Sequence, residues 1–118
     1  MNNIKVSKNF KLREFECKDG SHLVKIDSKL VTKLQKLRDL VGKPIIINSA
    51  YRTPSHNKKV KGSPKSQHLL GKAVDIRVNG ISPKNLAKYA EKAGFDGIGT
   101  YKTFIHVDVR GKRARWQG

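Results

Sequence analysis

A chain of 118 residues is the length of one domain with a modest core, and residues 1–118 are expected to fold as a single unit. Its 26 Lys and Arg against 9 Asp and Glu give a formal net charge of +17, which calls for anionic surroundings: nucleic acid, an anionic membrane surface or an anionic cell-wall polymer. The single cysteine, Cys17, excludes an internal disulfide framework, and no stretch approaches the roughly 20 apolar residues of a membrane span.

The segment Met1 to Lys8 lacks the apolar core of a secretory signal, so synthesis in the cytoplasm is expected. Residues 9–15 read as a short helical turn that tucks Phe10, Leu12 and Phe15 inward. Asp27 or Ser28 then caps a helix with Leu30, Val31, Leu34, Leu37, Leu40 and Val41 at helical spacing. Gly42 and Pro44 stop it. The β-branched run at Ile45 to Ile47 opens a strand that reaches Ser49. A polar stretch from Arg52 to Gln67, rich in Pro, Ser, Gly and Lys, reads as a long functional loop.

Ala73 to Val78 alternates and reads as a second strand, closed by Asn79-Gly80. Ser82 is an N-cap followed by Pro83 at the first helical position, and that helix runs to Ala93 before Gly94. Two short strands, 97–101 and 104–109, complete the chain. The expected fold is α+β, a small mostly antiparallel sheet with helices packed on one face.

Strand parity groups the candidate chemistry. Residues two apart on a strand share a face. Asp75 therefore points away from Val74 and Ile76, and His106 and Asp108 point away from Ile105, Val107 and Val109. His68 lies at the mouth of the long loop, just before the strand carrying Asp75. Two imidazoles and one carboxylate form the protein ligand set of a catalytic zinc that keeps its fourth position open. The competing reading is a solvated polar face, and spacing alone does not choose between the two.

Three blocks carry a family resemblance. Ser49-Ala50-Tyr51-Arg52-Thr53, with Asn57, resembles a Ser-x-Tyr-Arg segment. Ser66-Gln67-His68-Leu69-Leu70-Gly71-Lys72-Ala73-Val74-Asp75 resembles a Ser-x-His-x-x-Gly-x-Ala-x-Asp block. Gly97 to Tyr101 through Phe104 to Asp108, with Arg115-Trp116, resembles a C-terminal block. Together they are similar to the zinc D-alanyl-D-alanine peptidases, in the small single-domain branch found among phage and bacterial cell-wall hydrolases.

The resemblance implies the hedgehog/DD-peptidase type of fold and Zn2+ held by His68, Asp75 and His106. It implies that Arg52 acts at the site on a substrate carboxylate or developing oxyanion, through paired hydrogen bonds. Tyr51 and Ser66 are assigned to the substrate-binding edge, with Ser66 also placed to orient His68. Many members of the family carry a carboxylate three residues before the last His, where this chain has Thr103. Asp108 is then the expected general base, or a group that orients a ligand. His22 and His56 are not expected to be ligands.

The implied function is a zinc peptidase of peptidoglycan stem peptides, either a D-Ala-D-Ala carboxypeptidase or an endopeptidase. A monomer acting on the cell wall is expected, held by its charge on the anionic polymer, with phage-type release as one route there. Two alternatives stand beside it. One is a metal-binding domain of the same fold without catalysis, as in the hedgehog signalling domains. The other is a basic nucleic-acid-binding module, suggested by Lys58-Lys59-Val60-Lys61, although the few aromatics do not interleave with the basic residues as a stacking surface requires.

Overall fold

The computed structural model describes residues 2–118. A small hairpin, β1 (Lys5–Ser7) and β2 (Phe10–Lys11), leads into a 3₁₀ turn at Leu12–Phe15. Helix α1 (Ser28–Val41) and strand β3 (Ile46–Ser49) follow. Then come helix α2 (Pro54–Lys59), a second 3₁₀ turn (Gln67–Leu70) and strand β4 (Ala73–Arg77). Helix α3 (Pro83–Ala93) precedes β5 (Gly97–Thr100), β6 (Ile105–Asp108) and β7 (Ala114–Gln117). Among the described residues no helix is long and apolar enough to cross a membrane.

Strands β3 to β7 form one sheet in the order β3-β4-β6-β5-β7. All pairings in it are antiparallel except β5 with β7. The fold is the expected α+β arrangement. Alternation sends Val74, Ile76, Ile98, Ile105 and Val107 into the hydrophobic core, where they meet Leu34, Leu37 and Leu86. Burying each large apolar side chain contributes roughly 1.5–3 kcal/mol, so this face anchors the sheet and leaves the other free for polar groups.

The long helices begin and end where their caps lie. The Asp27 carboxylate accepts from the Lys29 amide at 2.8 Å, and Gly42 closes α1 in the left-handed conformation. Ser82 accepts from the Asn85 amide at 3.2 Å, and Gly94 closes α3. The buried face of α1 is narrower than its apolar stripe: Leu30, Leu34 and Leu37 are buried, whereas Leu40 is 42% exposed.

Three local expectations change. Phe10 is buried from β2 and Phe15 from the 3₁₀ turn, their rings edge to face at 6.2 Å, while Leu12 is only half-buried. The stretch 52–67 is not a continuous loop. Thr53 caps α2 by accepting from the His56 amide at 3.2 Å, and Pro54 sits in its first turn. Residues 114–117 form an edge strand that no apolar alternation announces, because their neighbours are mostly charged or polar.

Candidate metal centre

One row of residues crosses the whole polar face of the sheet. Ser49 pairs with Asp75, Asp75 with His106, His106 with Gly99, and Gly99 with Trp116. The next row sets Asp108 between Ala73 and Gly97. The two glycines make the row possible. A Cβ on Gly97 would collide with the Asp108 carboxylate, and one on Gly99 with the Trp116 indole. Strand β5 therefore serves as a bare floor on which larger groups lie.

His68 comes from outside the sheet. Ser66 caps its 3₁₀ turn, its hydroxyl accepting from the His68 amide at 3.2 Å, and Gly71 closes the turn in the left-handed region. The imidazole is thereby folded over Asp75. His68 Nε2 and His106 Nδ1 each stand 3.2 Å from the same oxygen, Asp75 Oδ1. All three side chains are buried, and their ligating atoms lie within 4.8 Å of one another.

The outer nitrogens decide what the inner ones can do. His68 Nδ1 is 2.6 Å from the Ala50 carbonyl, which only accepts, so Nδ1 carries the hydrogen. His106 Nε2 is 2.7 Å from Asp108 Oδ2, and an ionised carboxylate likewise only accepts. In the neutral rings, Nε2 of His68 and Nδ1 of His106 are then bare lone pairs facing a carboxylate oxygen. Three acceptors at this separation require a shared cation, either a proton or a metal ion. The residues therefore fit a metal by donor type, by tautomer and by outer-sphere bonding.

Two guanidinium groups bracket the cluster. Arg52 reaches Asp75 Oδ2 at 3.2 Å, Ser49 Oγ at 3.2 Å and Asn57 Oδ1 at 3.3 Å. Arg110 grips Asp108 from the other side, through Nε at 3.0 and 3.1 Å and Nη2 at 2.7 Å. Burial alone would raise both carboxyls. Hydrogen bonds and charge from His106 and His68 overcome it at Asp75, and those from His106 and Arg110 overcome it at Asp108. Both are held well below the usual carboxylate range. Burial pulls His106 downward, yet its bonds to Asp108 and Asp75 leave its pKa above the ordinary value.

The cluster opens into a cleft of about 620 Å3. One wall is the segment after α2, with Lys61, Lys65, Ser66 and Gln67, and the other is aromatic, with Tyr101, Phe104 and Trp116. Tyr101 and Phe104 stack at 4.6 Å, and the Trp116 indole N–H donates to the Tyr101 hydroxyl at 2.8 Å. Arg52 and Ser66 line this cleft, but Tyr51 does not. The chain leaves the sheet after Ser49, and backbone bonds from Tyr51 to Phe15 and from Arg52 to His68 turn Arg52 into the cleft instead.

Asp108 is fully buried, and both of its oxygens are bonded to His106 or Arg110. Arg110 itself escaped sequence reasoning, since a lone arginine beyond a strand end carries no local signal. His22 pairs with Glu16 at the surface, and His56 lies in α2 outside the cleft lining.

A family model described as Peptidase M15 matches residues 8–108. The peptidoglycan L,D-endopeptidase MepK of Escherichia coli is 32% identical over 100 residues, covering 77% of this chain and 54% of that protein. The probable peptidoglycan L,D-endopeptidase MepK of Haemophilus influenzae is 33% identical over 104 residues, covering 80% and 55%. The zinc D-Ala-D-Ala carboxypeptidase of Streptomyces albus G is 36% identical over 67 residues, covering 56% of this chain and 26% of that protein. The chain spans about half the length of the MepK relatives it matches.

Proposed function

The chain belongs to the peptidase M15 family, and on that footing we propose that it is a zinc-dependent peptidase that cuts peptide bonds in peptidoglycan stem peptides. The observation that carries this reading is the convergence of three lone pairs, from His68 Nε2, Asp75 Oδ1 and His106 Nδ1, at the floor of an open cleft. These residues are the proposed ligands. Zinc, when bound, supplies a Lewis acid for the scissile carbonyl and makes water nucleophilic at neutral pH.

The remaining groups have separable tasks. Arg52 donates to Asp75 Oδ2 and presents a cationic face to the cleft, suited to a substrate carboxylate or a developing oxyanion. Ser66 holds the turn that presents His68. The Tyr101, Phe104 and Trp116 wall offers apolar surface to the peptide. Asp108 orients His106 through Nε2, the second of the two roles weighed for it. The net charge of +17 supports retention on an anionic wall polymer.

One observation favours a second reading, a metal-binding domain that keeps this fold without turnover. Among the described residues lining the cleft, Asp75 is the sole carboxylate, so no second acid stands ready as a general base. Incubation of the purified chain with defined stem peptides, with and without a chelator, separates the two readings by mass spectrometry of the products. Chelator-sensitive cleavage supports the peptidase. Zinc binding without any product supports the second reading.

A further inference from the structure

Arg110 follows β6 by two residues, and its contacts reach the metal cluster through one intermediary. Its backbone amide donates to Asp108 Oδ1 at 3.2 Å, and its guanidinium spans both oxygens of that carboxylate. Asp108 in turn holds His106 Nε2 at 2.7 Å. The guanidinium carbon lies 5.1 Å from the centroid of the Trp116 ring, which stands 5.0 Å from the ring of His106. Arg110, Asp108, His106 and Trp116 thus close a loop of contacts around one imidazole.

The chemistry of that loop is directional. A fork of N–H donors spans both oxygens of Asp108 and fixes the plane of its carboxylate. A carboxylate held in that plane accepts from His106 Nε2–H and leaves the Nδ1 lone pair aimed at Asp75 and His68. Trp116 limits the swing of the guanidinium from above, and Gly99 is what lets the indole lie there. We infer that Arg110 is a positioning residue of the metal centre, selecting the tautomer and orientation of His106 by clamping Asp108. This rests on the reading of His68, Asp75 and His106 as ligands.

The sign of the effect tests it. Arg110 is a cation near a cation site, so simple repulsion predicts that removing it raises affinity for zinc. Positioning predicts the opposite. Zinc affinity is measured by competition with a chromophoric chelator, and cobalt loading is followed by its visible absorption. The expected result is a loss of roughly 10-fold or more in zinc affinity for Arg110→Ala, with a shifted cobalt spectrum.

Arg110→Lys keeps the charge but neither the fork nor the stacking, and it is expected to recover only part of that affinity. If Arg110→Ala does not fold, as judged by its thermal melt, the lysine variant alone reads the loss, smaller in size but of the same sign and with the same shifted cobalt spectrum. Unchanged or tighter zinc binding with an unshifted cobalt spectrum overturns the positioning role. That outcome leaves the ligand assignment standing, whereas a wild-type chain that binds no zinc overturns both.

Discussion

Asp75 and His106 face each other across the β4–β6 ladder, and a single oxygen of Asp75 stands 3.2 Å from His106 Nδ1 while the other is held by Arg52. Removing the charge from this oxygen should remove the centre. Asp75→Asn keeps the shape but replaces a carboxylate with an amide and leaves Arg52 facing a neutral group. Zinc affinity is expected to fall by more than the roughly 100-fold upper range of outer-sphere changes. Metal analysis after dialysis checks it, and a full equivalent of retained zinc would contradict the ligand role.

Asp108→Asn separates orientation from base catalysis. With Asp108 as an orienting group, affinity for zinc falls by roughly 10–100-fold, and cleavage largely returns once zinc is saturating. A variant that is fully loaded yet inert would restore Asp108 as the base. Stem-peptide hydrolysis as a function of zinc concentration distinguishes the two.

The bare floor of β5 should tolerate no side chain. Gly99→Ala drives a methyl group into the Trp116 indole, and Gly97→Ala drives one into the Asp108 carboxylate. Each is expected to cost about 1–3 kcal/mol, the usual range for overpacking. Thermal or urea melts of the metal-free variants measure it. Wild-type stability in both would mean that β5 shifts freely and does not shape the site.

Acid should loosen the metal-free protein through the same carboxylates. Asp75 and Asp108 start from an ordinary value of 3.8 and are lowered in the folded state. Their contribution to stability is therefore fully present above that value and is lost as pH falls through and below it. The melting temperature of chelated protein is expected to drop as pH falls below about 4, and less steeply in Asp108→Asn. Parallel profiles for the two proteins would show that Asp108 contributes nothing to the acid transition.

Retention on the wall should be electrostatic. With a net charge of +17, binding to purified cell walls is expected to weaken steeply with added salt. Stripping the anionic polymers should have the same effect. Sedimentation of the protein with walls across a salt series tests this, and retention independent of salt would point to a specific contact instead.

The comparison of sequence with structure turns on how local each signal is. Asp27 and Gly42 delimit α1, and Ser82-Pro83 and Gly94 delimit α3, because caps act within a turn of the residues they satisfy. Thr53-Pro54 carries the same kind of start signal, but α2 is six residues long and buries only Asn57, so no apolar period reinforced it. Asp75 and His106 share a face by parity alone. Their direct pairing depends on register, which parity does not specify.

The sequence by itself determined the α+β class, the main helices and inner strands, and the shared face of Asp75 and His106, because periodicity, capping and strand parity are properties of neighbouring residues; that His68 joins them was implied only by the family resemblance. The tertiary structure alone decided the tautomers of His68 and His106, the turning of Arg52 rather than Tyr51 into the cleft, the burial of Asp108 and its clamp by Arg110, and the Trp116 ring that β7 brings against His106. Each of these depends on which atom of a distant strand lies opposite, and that is set when the sheet closes its register over the core.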